Sequence, residues 1–141
     1  IDVPVASPDY FPTLLAAAET QPQLGQTLDG MNLMPAFKGG TLPERPLFWH
    51  YPHYGNQGGA PGAAIRRGDW KLIEWFEDGR TELFHIAQDH SEQTDLATKE
   101  PQRVAQLRDE LYAWQQQVGA THPTRNPNYD PAKPSGRAAT R

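Results

Sequence analysis

Cysteine is absent from the sequence, which excludes disulfides and thiolate metal sites. The same absence leaves the redox compartment open, because exported proteins can also do without cystines. Long apolar runs are missing too: no window approaches the roughly eighteen consecutive apolar residues that a membrane-spanning helix needs, and mean hydropathy is −0.74. No membrane partner is therefore expected. Positive charge is scarce, with 13 Lys and Arg against 17 Asp and Glu, a net charge of −4 and a pI near 5.7. A general nucleic-acid binder needs a basic face to neutralise phosphates, so no nucleic-acid partner is expected either. The chain begins at Ile1 without a Met, and neither a basic segment nor the apolar segment of a signal peptide follows, so it reads as a fragment. A Ser-centred nucleophile elbow, a Walker loop and a dinucleotide fingerprint are all lacking.

What is present divides into unlike stretches. With 37% hydrophobic residues and 14 prolines among 141, only part of the chain is expected to build a core. Ser7-Pro8-Asp9 precedes an apolar run through Ala18, with Asp9 placed to cap a helix and Pro12 in the first turn, where N–H groups have no intrahelical partner. A short helix over about 9–19 is predicted. Residues 20–45 are rich in Gln, Gly and Pro, and their Met31, Leu33, Met34 and Phe37 show no clear period, which predicts a long ordered connection.

Residues 47–53 are aromatic and strand-like, with Pro46 and Pro52 near the ends, where a missing ladder donor is tolerated. Strands over 63–66 and 70–76 flank Arg67-Gly68-Asp69, and Asp78-Gly79 predicts a type I′ turn into a fourth strand over 81–86. The four form an antiparallel meander. Pro101 then opens a helix whose Val104, Leu107, Leu111, Trp114 and Val118 recur at helical spacing, ending before Gly119. Its apolar stripe is expected to clamp the meander, giving an α+β class. The expected organisation is 1–45 as the end of a preceding domain with its connection, 46–118 as a sheet-and-helix subdomain, and 119–141 as an extended tail poor in large apolar residues.

The densest polar-aromatic cluster is Trp49-His50-Tyr51-Pro52-His53-Tyr54, ahead of the Gly-rich loop 55–62. Strand alternation puts His50 on the face opposite Trp49 and Tyr51, while His53, at the strand end, can point into a cleft and donate to an anion. The plainer reading, two hydrogen-bonded strand-end histidines, stays open. His50 and His53, three apart in a strand, face opposite ways and have no evident third ligand, so no metal site is expected here. Arg66, Arg67 and Lys71 are suited to a sulfate, phosphate or carboxylate, or are solvated hairpin charges. Asp89, Glu92 and Asp95 match no EF-hand spacing and read as a capped turn.

The order of phrases over about residues 5–115 resembles the C-terminal stretch of the sulfatases of the alkaline phosphatase superfamily. Ser7-Pro8-Asp9 with Pro12-Thr13-Leu14-Leu15 looks like their late helix, and Leu28-Asp29-Gly30-Met31-Asn32-Leu33-Met34-Pro35 with Lys38-Gly39-Gly40 like the connection after it. Arg45-Pro46-Leu47-Phe48-Trp49-His50, Ala64-Ile65-Arg66-Arg67-Gly68-Asp69-Trp70-Lys71-Leu72-Ile73, Glu82-Leu83-Phe84-His85-Ile86 and then Asp89, Glu92 and Asp95-Leu96-Ala97 look like their C-terminal sheet. Phe84-His85 departs from the commoner Tyr followed by an acidic or amide residue.

The resemblance implies a missing N-terminal α/β catalytic domain carrying a formylglycine, made from Cys or Ser in a C/S-x-P-S/A-R motif, beside a calcium ion. That motif is not in this sequence. The fragment is thus expected to hold no catalytic residue and no cofactor, to be inactive alone, and to shape the pocket for a sulfated small molecule or glycan. His53, and after it His50 and Arg66, are the expected substrate contacts. A periplasmic or secreted enzyme is what the resemblance implies. Two other readings are a stand-alone carbohydrate-binding or interaction module using the residue 49–54 aromatics, and a phosphoesterase parent of the same superfamily.

Overall fold

The computed structural model describes residues 3–55, 59–128, 130 and 132. The chain divides into two compact units, Ile1–Arg45 and Pro46–Arg141. In the first, a 3-10 turn, Ser7–Asp9, runs into helix α1, Tyr10–Ala17, and a single-turn helix α2, Met34–Phe37, follows. Helix α2 lies inside the stretch predicted as plain connection. Four residues are too few to show a period, so only the Pro35 at its first turn could have marked it.

Asp9 organises this unit, though not by capping α1, where its side chain makes no cap bond. The fully buried carboxylate instead accepts the N–H groups of Ala6 and Met31, each at 2.8 Å, and pairs with the Arg45 guanidinium. Burial opposes its ionisation, but those two backbone donors and Arg45 outweigh it and hold the carboxyl below its usual range. Thr13 extends the polar node, with its hydroxyl donating to the Asp9 carbonyl and accepting from the Leu33 N–H at 2.9 Å.

The second unit is the predicted sheet and helix. Strands β1, Leu47–Tyr51, β2, Gly62–Arg67, β3, Trp70–Trp75, and β4, Thr81–His85, pair antiparallel in sequence order, and helix α3 spans Pro101–Gln117. Strand β1 stops at Tyr51 rather than at His53, just before Pro52, which has no N–H to give a ladder. The β2–β3 turn is the expected two-residue hairpin, with positive φ at Gly68 alone, as a II′ turn has at its first central position. The β3–β4 turn corrects the I′ expectation: only Gly79 has positive φ, and Trp75 bonds both Arg80 and Gly79 across a wider loop. After β4, Asp95 and Leu96 bond both backbone groups of Leu83 and so cover that sheet edge.

The register aligns Ile65, Leu72 and Leu83 in one cross-strand row, all 0% exposed, under Leu107 and Leu111 of α3. Each such side chain contributes roughly 1.5–3 kcal/mol on burial. Phe48 stacks on Trp114 with ring centroids 4.7 Å apart and planes within 2°. Val118 was expected in the same stripe but is the C-cap residue and is exposed. Gln115, a polar residue, is buried in its neighbourhood instead.

Candidate functional site

Helix α3 takes one face of the sheet, and the residues of opposite parity line a groove of about 410 Å³ on the other. Trp49 and Tyr51 of β1 form one side, and Ile73 and Trp75 of β3 the other. Between them β2 offers only Gly62 and Ala64, which makes a low floor. A Cβ at position 62 would stand 2.8 Å from the Glu74 carbonyl oxygen, so the floor admits no larger residue there without a backbone shift.

Two cations meet the groove where Arg66 pairs with Lys71 in the ladder. Lys71 is engaged, with its ammonium 2.7 and 2.8 Å from the two carboxylate oxygens of Glu92. Arg66 gives its Nε–H to the Gly68 carbonyl at 3.2 Å and has no carboxylate partner among the described residues. A guanidinium so placed keeps donors for an external anion, in a fork that suits a sulfate or carboxylate. Arg67 points to the helix side, where Glu110 takes it.

The three residues expected to touch substrate are not gathered at one point. Arg66 lies at the Leu47 end of the groove, whereas His53 is exposed just beyond β1, its ring edge-on to Tyr51 at 5.6 Å. Tyr51 is four residue steps along β1 from Leu47, which corresponds to about 13 Å along a strand. His50 is on the helix face. There its Nε2 lies 2.7 Å from the Thr121 carbonyl and its Nδ1 3.2 Å from the Gln115 amide nitrogen. The Gly-rich loop after His53 runs through residues 56–58, which lie outside the described residues, as do residues 129, 131 and 133–141 of the expected tail.

The acidic run behaves as a capped turn. Asp89 accepts from Thr94, Asp95 accepts from Leu83 and Ala97, and Glu92 faces Lys71. Backbone donors, that of Gln93 foremost, hold the Asp89 carboxyl below its usual range. On the helix side a second cavity, of about 500 Å³, is bordered by Glu74, Tyr112, Gln115 and His122. The Tyr112 hydroxyl donates to the buried Glu74 carboxylate, and burial together with that bond pushes its pKa up to about 12.

Sequence reasoning missed Ile73, Trp75 and the Gly62–Ala64 floor as parts of one groove. Their signal was alternation: once the hairpin at Gly68 fixes the register, the odd positions of β1 and β3 and the even positions of β2 share a face. Nothing in the spacing linked Gln115 to His50, which are 65 residues apart.

No protein-family model matches the chain. In sequence it is 27% identical over 121 residues to a sulfatase of Formosa agariphila, a match that takes in 75% of this chain and 22% of that protein. In fold it is similar to the crystal structure of Ps i-CgsB, with a TM-score of 0.65 and 29% identity over 79% of this chain and 24% of the other. It is also similar to BT4656, solved in complex with its substrate D-glucosamine-2-N,6-O-disulfate, with a TM-score of 0.66 and 23% identity over 82% of this chain and 24% of that one. The chain therefore resembles sulfatases in sequence and in fold, and spans less than a quarter of the length of these relatives. That share is consistent with a C-terminal portion.

Proposed function

We propose that this chain is the C-terminal portion of a hydrolase that cleaves sulfate esters of sugars, and that it shapes the substrate pocket while the bond-breaking groups lie in a larger catalytic portion. The observation that carries the reading is the groove: an apolar, aromatic trough on the sheet face that α3 leaves open, with a guanidinium, Arg66, that has no carboxylate partner among the described residues. Aromatic walls suit the apolar faces of a sugar ring, and Arg66 suits a sulfate. Because Arg66 and His53 stand at opposite ends, a ligand that meets both lies along the strands, which favours a glycan over a small aryl sulfate. The sulfatase likeness and the disulfated substrate of BT4656 support the same class.

The residues present do not fit the cofactors the reading requires. The chain has no cysteine and no C/S-x-P-S/A-R motif for a formylglycine, and among the described residues no cluster of three or more His, Asp or Glu could hold a metal ion. In this proposal formylglycine and calcium belong to the catalytic portion, and the chain alone is inactive. The test is steady-state kinetics of the longer polypeptide on a sulfated oligosaccharide. Removing one charge-assisted hydrogen bond, by R66A or H53A, is expected to raise KM by about tenfold to a hundredfold with little change in kcat. Unchanged KM in both variants overturns the pocket role. Tight sugar binding by the 141-residue chain on its own would favour the stand-alone module, for which the open aromatic groove is the supporting feature.

A further inference from the structure

Among the described residues, three charged side chains line the open-face groove: Arg66, Lys71 and Glu92. Arg66 and Lys71 are direct ladder partners, and alone they would set two cations side by side on strands about 5 Å apart. Such a pair favours a ligand with two anionic groups on neighbouring positions. Glu92 changes that count. Its carboxylate oxygens lie 2.7 and 2.8 Å from the Lys71 ammonium, and with side chains only 26% and 30% exposed the pair is partly withdrawn from water. Glu92 comes from outside the sheet, on the turn that follows β4, and its φ of +53° lies in the left-handed region that few non-glycine residues enter. The turn holds it there: the Glu92 N–H donates to the Asp89 carbonyl at 3.2 Å, and the Asp89 carboxylate accepts the Thr94 N–H at 2.7 Å.

We propose that Glu92 is a specificity-determining residue: by neutralising Lys71 it leaves this end of the groove with one net positive charge, so that a sugar with a single sulfate is taken in preference to one with sulfates on adjacent carbons. The inference rests on the groove being the substrate trough, and it narrows that reading from sulfated sugars to singly sulfated ones at the Arg66 end. Arg66 spends its Nε–H on the Gly68 carbonyl and keeps its terminal N–H groups for a first sulfate. A second sulfate on the next carbon would come to Lys71, where it has to displace the Glu92 carboxylate or stand beside it, like charge against like. Lys71 is needed in turn, because without it the Glu92 carboxylate would face the first sulfate. Loss of the Glu92 charge should therefore admit the second sulfate, and loss of the Lys71 charge should repel the first.

The test titrates the 141-residue chain with matched methyl glucosides, one unsulfated, one sulfated on a single carbon and one sulfated on that carbon and the next, while the Arg66 Nε–H signal is followed by NMR. The native chain should bind the singly sulfated sugar at least as tightly as the doubly sulfated one. E92Q keeps the shape of the side chain without its charge and should reverse that order, with the doubly sulfated sugar bound about tenfold more tightly. K71Q should weaken both sulfated sugars, and it reads the same balance from the other side if E92Q does not fold. K71Q/E92Q restores the net charge and should restore the native order, whereas a merely structural salt bridge would leave the order the same in every folded variant. A native preference for the doubly sulfated sugar, an unchanged order in E92Q, or undiminished binding in K71Q each overturn the role of Glu92 and leave the groove standing. No response of Arg66 to either sulfated sugar overturns the groove reading and this inference with it.

Discussion

The two units differ in what lies at their centres. In the first, a polar node of Asp9 and Thr13 is buried together with Leu33 and Ala36, while Tyr10 and Leu14, one turn apart on α1, are 66% and 64% exposed. In the second, Ile65, Leu72, Leu83 and Leu111 are all 0% exposed, and the buried Glu74 carboxylate is bonded to Tyr112. A helix that turns its apolar side chains outward gains nothing from them in this chain. The contrast teaches that unit 1 centres on a buried ion pair and its hydrogen bonds, whereas unit 2 centres on an apolar row under α3.

Substitutions can break this contrast in order of size. Asp9→Ala leaves Arg45 and the Ala6 and Met31 N–H groups without their acceptor, and should cost unit 1 about 3–5 kcal/mol. Amide exchange should then quicken at Met31 and Leu33 while α3 stays protected. Leu111→Ala is the mirror experiment. It opens a cavity under α3, at about 2–5 kcal/mol by denaturant titration, and should spare the Asp9 node. Tyr112→Phe leaves the buried Glu74 carboxylate without its donor, for about 1–3 kcal/mol in the same titration. Leu14→Ser should change the stability of the chain by no more than about 0.5 kcal/mol, and a larger loss would mean that the α1 face is covered within the chain after all.

Acid sharpens the comparison. Asp9 has a folded pKa below the ordinary carboxyl value of about 3.9, so its contribution is complete above that value and is lost as pH falls through the lowered one. Exchange at Met31 should therefore stay slow until below about pH 4.

The second unit was legible in the sequence because its signals are periodic. Leu107 and Leu111 repeat at helical spacing, and Gly68 marks a turn with a fixed geometry. The Asp78-Gly79 pair misled because the dipeptide alone does not state loop length, which Trp75 and Arg80 set by their mutual bond. Unit 1 was hard to read for a physical reason: its order comes from one carboxylate reaching Met31, 22 residues away, and such a bond leaves no period. The groove was half legible. Trp49, Tyr51 and Arg66 stood out, but their partners Ile73 and Trp75 become neighbours only through register.

The central claim is that this chain serves a sulfatase without performing its chemistry. The most direct test measures sulfate release from a sulfated oligosaccharide by the 141-residue chain, by the longer polypeptide, and by the longer polypeptide with residues 46–118 deleted. The account predicts activity in the longer polypeptide alone, with none in the chain and a loss on deletion. Sulfate release by the chain itself, or undiminished turnover after the deletion, would contradict it.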